Sequence, residues 1–244
     1  MIKKLNLAGT WDFAMDPEKK GIDEHIYSKE FSDNIPLPGT ISMAQKGTPS
    51  DVKETGFLTD PYLFEGYAWY AKEIDLDQTD LDKNIILYLE RTRMTKVWVD
   101  DQLVGDFDSL NTPHEYDLTP YLKQTHFRLT ILVSNVDYPT KGGHLTSPDT
   151  QTNWNGIIGE IALHIFDQCY IKNVKTFPDT KTRTVRVTFD TVNTTKEEHE
   201  LTLQTQAFLT DISGDTGISS AAATQEVTSV SYTHLRAHET TLHL

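Results

Sequence analysis

The sequence predicts an all-β fold built from stacked antiparallel sheets, and three observations carry the prediction. Apolar residues recur with a period of two. "FRLTILVSN" places Phe127, Leu129, Ile131 and Val133 on one face, and "TVRVTF" does the same with Val185, Val187 and Phe189. Turn signals separate such runs at Pro36 and Pro38, Asp60-Pro61, Asp100-Asp101, Lys141-Gly142-Gly143 and Pro178-Asp179. No long amphipathic helical pattern lies between them, which leaves a β-sandwich as the simplest architecture.

The elements follow in order. "MIKKLNLAGTWDF" alternates Leu5, Leu7, Trp11 and Phe13 and lacks the apolar stretch of a signal peptide. The fold is therefore expected to begin at once. As written the chain reads as cytoplasmic, or periplasmic or secreted if an upstream signal has been lost. "YAWYAKEIDL", "NIILYLE", "TKVWV" and "EIALHIF" are further strands, and "NIILYLE" is apolar on both faces, as a central strand would be. In "TKVWVDDQLVGDF" the two-residue Asp100-Asp101 turn predicts a hairpin, with a further bend at Gly105. Trp98, held between Val97 and Val99, is expected in the core, as are Trp11 and Trp69. "DLTPYL" reads as one helical turn, N-capped by Asp117 or Thr119.

Bulk properties bound the rest. The 244 residues, 37% hydrophobic and 10% aromatic, suffice for one packed domain and part of another. Thirty-six acids against 22 bases give a formal charge of −14 with no local basic stripe, which argues against nucleic acid and anionic membrane as partners. No run approaches the roughly 20 apolar residues that span a bilayer. The single Cys169 excludes an intrachain disulfide framework. No phosphate loop or nucleophile elbow is present, so no cofactor is expected.

A compositional change near Phe166 to Tyr170 divides the chain. Residues 1–167 form the first sandwich. In 168–230, "YIKNVKTFPD", "TVRVTFDTV" and "ELTLQTQAF" read as the opening strands of an immunoglobulin-like sandwich. That sandwich is incomplete, because about 100 residues make a whole one. "SGDTGISSAAAT" is expected to be a flexible loop. The last segment, 231–244, holds His234, His238 and His243. Histidines at i and i+4 share a helix face, but no well-spaced third ligand completes a metal set. The string resembles a translated adapter sequence and is expected to pack on nothing. The isolated His25, His114, His126, His144 and His164 have no ligand spacing and are expected on the surface or as satisfied core residues.

Sheet packing alone does not explain "TSPDTQTNWNGIIG". Sugars present vicinal hydroxyls and apolar C–H faces; amides and carboxylates bracket the first, and an aromatic ring covers the second. Asp149, Asn153, Trp154 and Asn155 supply both just before a strand, with Gly156 and Gly159 free to bend the backbone. The competing structural account makes Trp154 a plug at the sandwich edge and the asparagines Asx-turns.

Five pieces, "LNLAGTWDF", "PLPGT", "GYAWYAKEI", "VWVDDQLVGDFDSLNTPHEYDLTPYL" and "NWNGIIGEIALHI", together resemble the amino-terminal domain of family 2 glycoside hydrolases. That family is the β-galactosidase, β-glucuronidase and β-mannosidase superfamily. The resemblance spans about residues 5 to 166. It implies a jelly-roll (galactose-binding-like) domain, then an immunoglobulin-like domain, then a (β/α)₈ barrel with two catalytic glutamates. No Asn-Glu pair, the usual setting of the family's acid/base, occurs in the sequence, and no catalytic residue is assigned. The resemblance further implies that the loop near Asp149 reaches the pocket for the terminal β-linked sugar. A second loop, "TGFLTDPYLFEGYAWY", approaches the same pocket with Asp60, Tyr62, Phe64 and Tyr67, or else packs its aromatics on the barrel. The expected role is the non-catalytic, sugar-binding and scaffold portion of a retaining exo-β-glycosidase, and a homo-oligomeric parent is compatible with it. The alternatives are a stand-alone lectin-like module and a structural β-sandwich that mediates protein contacts.

Overall fold

The strand "HFRLTILVS" is apolar on one face and buried on both from Leu129 onward, and the fold is built around it. A computed structural model describes the chain except residues 1, 54, 57, 140–141, 144–145, 148–149, 211–215, 230–235 and 244; at 201, 203 and from 207 onward it describes backbone alone. Two units result, Met1–Ile165 and Phe166–Leu244.

The first unit contains β1 (Lys3–Asn6), β2 (Gly9–Asp16), β3 (Asp33–Leu37), β4 (Gly39–Thr40), β5 (Thr48–Pro49), β6 (Tyr62–Leu63), β7 (Tyr67–Asp75), β8 (Asn84–Leu89), β9 (Met94–Val99), β10 (Gln102–Phe107), β11 (His114–Asp117), β12 (His126–Ser134), β13 (Gly156–Ile157) and β14 (Ile161–Phe166). Six of them form one sheet in the order β10-β9-β12-β7-β2-β3, and four form another in the order β1-β14-β8-β11. All pairings in both are antiparallel. β12 is the axis of the larger sheet, paired along its whole length with β7 and over Leu129 to Ser134 with β9. Among the described residues the only helical pieces are three-residue 3₁₀ turns at Ile26–Ser28, Gln78–Asp80 and Thr119–Tyr121.

The alternation seen in the sequence becomes two layers of packing. Phe127, Leu129, Ile131 and Val133 face inward with Trp11, Phe13, Tyr70, Val97 and Val99, and meet Ile85, Leu87, Leu89, Leu163 and Ile165 of the smaller sheet. Each such side chain contributes about 1.5–3 kcal/mol of transfer free energy when fully buried. The opposite face of the larger sheet is closed as well. Trp69, Trp98 and Leu132 are buried there beneath Ile22, Ile26, Tyr27 and Phe31. Tyr27 stacks on Trp98 at 5.1 Å between ring centres, and Trp69 tilts against Trp98 at 5.3 Å. All three core tryptophans are buried as expected, two of them in this outer layer rather than between the sheets. "NIILYLE" lies inside its sheet, with Ile85, Leu87 and Leu89 buried and Ile86 and Tyr88 half-buried.

Local chemistry sets the turns. Val99 pairs with Gln102 across Asp100-Asp101, Asp100 adopts φ 50°, and the register slips between Leu103 and Gly105, so the hairpin and its bend both form. The Asp117 carboxylate accepts from the Thr119 N–H at 3.0 Å, while the Thr119 hydroxyl accepts from the Ile85 N–H at 2.9 Å. The N-cap position of the 3₁₀ turn falls on Leu118, without a side-chain bond, so neither Asp117 nor Thr119 is the cap; the two brace the approach to the turn instead.

In the second unit β15 (Cys169–Asp179), β16 (Thr184–Asn193) and β19 (Arg236–His243) form one antiparallel sheet, and β17 (His199–Thr210) pairs with β18 (Thr216–Ser229). Two expectations are corrected here. The Gly/Ser/Ala stretch is strand, not loop, from Thr216 on, because a β-ladder is held by backbone groups and small side chains do not prevent pairing. The segment expected to pack on nothing supplies β19, whose Arg236 to His243 ladder with β16 satisfies the open N–H and C=O groups that an edge strand offers to any extended chain. His234 lies outside the described residues.

One buried polar chain crosses the first unit's core. His114 is fully buried; its Nε2–H donates to the Ser109 carbonyl at 2.7 Å, which leaves Nδ1 to accept from the Thr95 hydroxyl at 2.6 Å. The Tyr116 hydroxyl then donates to Thr95. Burial pushes the His114 pKa below its usual 6.5, opposed by the Ser109 bond and the charge of Asp108. The unfolded chain therefore binds the proton more readily, and this contribution to stability is lost as pH falls below about 6.5. Urea midpoints measured from pH 7 to pH 5 should fall, and His114→Gln should flatten the fall.

Candidate functional site

The two loops singled out in the sequence meet at one end of the first sandwich. Leu58 bridges Gln151 in parallel, the Thr152 N–H donates to the Leu58 carbonyl at 2.9 Å, and the Asp60 N–H donates to the Thr152 hydroxyl at 2.9 Å. The 58–65 loop is stiffened by β5 pairing with β6 and by the Ser50 N–H on the Pro61 carbonyl. The 150–155 loop runs into β13, which pairs with β4. Gly156 is required there. It has φ +151°, and a Cβ would stand 2.2 Å from the Gly39 carbonyl oxygen. Gly159 answers to space rather than to backbone freedom, since a Cβ would lie 2.6 Å from Glu90 oxygens.

The expected residues fare differently. Asp60 stands between two adjoining hollows. One, of about 340 Å³, is lined also by Ser50, Glu65, Gln151, Thr152 and Asn153; the other, of about 320 Å³, by Met43, Leu58, Trp154 and Ile158. Burial holds the Asp60 carboxyl above the usual carboxylate range, opposed by a hydrogen bond from Ser42. Asn153 lines the first hollow but is already engaged. Its Nδ2 donates to the Asn135 carbonyl at 2.6 Å and towards Glu65 Oε1 at 3.5 Å, and its Oδ1 accepts from the Tyr138 hydroxyl at 3.2 Å. One acceptor lone pair remains for a ligand.

Two residues do not join them. Asn155 is buried, with Nδ2 donating to the Val133 carbonyl at 3.0 Å and Oδ1 facing the Tyr70 hydroxyl at 3.4 Å. The sandwich consumes its amide, though through long-range bonds to β12 and β7 and not through the Asx-turn that the structural account expected. Tyr62 is half-buried in β6 and lines neither hollow. Asp149 lies outside the described residues.

Three residues that the sequence reading did not name organise the site. Arg93 is buried; its guanidinium lies 4.0 Å from the centre of the Trp154 ring and 5.9 Å from that of Tyr138, and its Nε donates to the Trp154 carbonyl at 3.2 Å. Burial lowers its pKa from the ordinary guanidinium value, although a guanidinium keeps its proton at any working pH. Tyr138 bonds Asn153, and burial raises its hydroxyl to about 12. Asn135 is fully buried just beyond β12. Its Nδ2 donates to the carbonyls of Phe64 at 2.7 Å and Asn153 at 2.9 Å, and its Oδ1 accepts from the Gly66 N–H at 3.0 Å. An amide directly after the apolar run "FRLTILVS" was the signal available in the sequence.

By architecture this is a loop-sited β-sandwich, with a carboxylate, an amide and an indole gathered at one end. Within that class the chain belongs to glycoside hydrolase family 2: the family model described as "Glycosyl hydrolases family 2, sugar binding domain" matches residues 2–166. Among curated relatives, the β-galactosidase of Thermoanaerobacter pseudethanolicus is 29% identical over 124 residues, 48% of this chain and 16% of that protein. The β-glucuronidase of Paenibacillus borealis is 26% identical over 133 residues, 54% of this chain and 21% of that protein. Solved structures share the fold. A family 2 β-glucuronidase superimposes over 99% of this chain and 26% of its own, with a TM-score of 0.74 and 19% identity. Bacteroides uniformis β-glucuronidase 2 gives 0.71 and 16% over 99% of this chain and 28% of its own. The matched region is thus about a quarter or less of the curated relatives' length.

Asn135→Asp keeps the shape of the side chain and removes both donors. It should cost about 2–6 kcal/mol, at about 1–3 for each of the two buried carbonyls left unsatisfied, as read from urea unfolding.

Proposed function

We propose that this chain is the non-catalytic sugar-binding and scaffold portion of a retaining exo-β-glycosidase. On this reading the barrel that performs hydrolysis lies outside the 244 residues. Retaining hydrolysis needs two carboxyls about 5–5.5 Å apart across the glycosidic bond. The two carboxylates that line the hollows, Asp60 and Glu65, serve instead to accept hydrogen bonds from the hydroxyls of a terminal β-linked sugar, and Trp154 offers it an aromatic wall. The convergence of Asp60 and Trp154 from separate loops onto adjoining hollows is the single observation that carries the reading. Asp149 is assigned to the same sugar by the resemblance alone.

One feature favours a second reading. Both hollows are bounded by this chain's own loops, as a lectin-like module would have them. Such a module would bind glycosides without any barrel at micromolar Kd, whereas a partial pocket should reach only about millimolar, some 4 kcal/mol weaker. Titration of the chain with methyl β-galactoside and methyl β-glucuronide separates the two.

Assayed against aryl β-galactoside, β-glucuronide and β-mannoside, the purified chain should show no turnover above buffer. Fusion to a family 2 barrel should restore it. Turnover by the chain alone that disappears in Asp60→Asn or Glu65→Gln would refute the non-catalytic assignment.

A further inference from the structure

The outer face of the larger sheet carries a cavity of its own. Ile22, Ile26, Tyr27 and Phe31 cover Trp69, Trp98 and Leu132 there. In the adjoining rows, Leu132 pairs with Lys96, and Ser134 pairs with Met94 on one side and Tyr67 on the other. These residues border a cavity of about 180 Å³, which shares no described lining residue with the two hollows at the loop end. Its two sides carry opposite charge. On one, Lys96 pairs with Asp106 across β9 and β10, with the carboxylate 3.6 Å from Nζ. That is an ion pair too long for a hydrogen bond. Among the described residues the Lys96 ammonium has no hydrogen-bond acceptor, so its N–H groups are left to water or a ligand. On the other side, Asp137 accepts from the Ser134 hydroxyl at 3.1 Å and from the Tyr67 hydroxyl, and lies 3.6 Å from Lys19. A carboxylate has about four lone-pair sites, so it can accept further donors. Burial first, and the Asp137 bond and charge second, push the Tyr67 hydroxyl up to about 12, so Tyr67 stays a neutral donor.

We propose that this cavity binds a free α-amino acid with a short apolar side chain, its carboxylate on the Lys96 ammonium, its ammonium on the Asp137 carboxylate and its side chain against Leu132 and Met94. The seat is independent of the sugar reading and adds a second ligand to the chain. Size supports it. A water takes up roughly 30 Å³ in the liquid, so the 180 Å³ holds about six waters, or a ligand of about six to eight non-hydrogen atoms. Charge supports it too. Lys96 and Lys19 balance Asp106 and Asp137, so a ligand whose charges cancel within itself fits better than an anion or a cation alone. The span is short, since β9 and β7 flank β12 and their axes lie only about 10 Å apart. A ligand that reaches both sides must carry its two charges close together, as an α-amino acid does.

The test titrates L-valine, isovalerate and isobutylamine into the intact chain by saturation-transfer NMR. Isovalerate lacks the ammonium of valine and isobutylamine lacks the carboxylate, with the branched tail unchanged. L-valine should bind at about millimolar Kd, and each of the others about tenfold more weakly, the size expected when one bond to a charged group is lost. Lys96→Met keeps the unbranched stem and removes the ammonium. It should weaken L-valine about tenfold and leave isobutylamine unchanged, with the urea midpoint unmoved. Asp137→Asn should weaken L-valine and leave isovalerate unchanged. Isovalerate or isobutylamine binding as tightly as L-valine would overturn the amino-acid seat, as would an L-valine affinity that survives Lys96→Met. Absence of saturation transfer to L-valine at tens of millimolar would overturn it as well.

Discussion

The carboxamide of Asn135 is the constraint on which the site depends. It follows β12, the strand whose register is fixed from both sides, and it binds the backbone at Phe64, Gly66 and Asn153. Two loops far apart in sequence are thereby tied to the most rigid part of the sandwich. A loop held only by its own turns would place Asp60 and Trp154 loosely. Buried amide bonds to backbone, with each polar atom satisfied, hold them in one arrangement. Arg93 and Tyr138 extend the same order outward, one against the Trp154 ring and carbonyl and the other through the Asn153 oxygen.

Scaffold and site are separated by one residue of strand phase. Asn153 and Trp154 are half-buried at the rim, whereas Asn155 is sealed beneath it and donates to Val133. Two asparagines two residues apart thus have unlike tasks, and chemistry alone does not tell them apart. The direction of the backbone as it enters β13 decides, and that direction is set by Gly156 against Gly39.

That division explains how much was legible in the sequence. The period of two revealed the strands and the inner core because burial on one face leaves a regular trace, as at Phe127 to Val133. It could not reveal that Trp69 and Trp98 sit in an outer layer, because their cover comes from Ile22, Tyr27 and Phe31, in a stretch with no strand pattern. The loops' meeting could be foreseen only through the family resemblance, as Leu58 and Gln151 are brought together by topology. Arg93 stayed hidden for a simpler reason: an arginine beside a strand reads as solvated, and only the ring stacked on it shows otherwise. The Gly/Ser/Ala stretch and the terminal segment failed in the opposite sense, since composition suggested no order where backbone pairing supplies it.

The raised pKa of Asp60 gives the junction between the hollows two chemical identities. Ionised, the carboxyl only accepts hydrogen bonds; once protonated, it also offers an O–H. A hydroxyl lying against it is itself donor and acceptor, and could reverse the polarity of the shared bond rather than break it. Burial raises the pKa, so the exchange comes at a higher pH than it would for a carboxyl in open water. On the proposed reading the same wall meets a polyol as an anion or as a neutral acid, so acidification would change the bond rather than remove it.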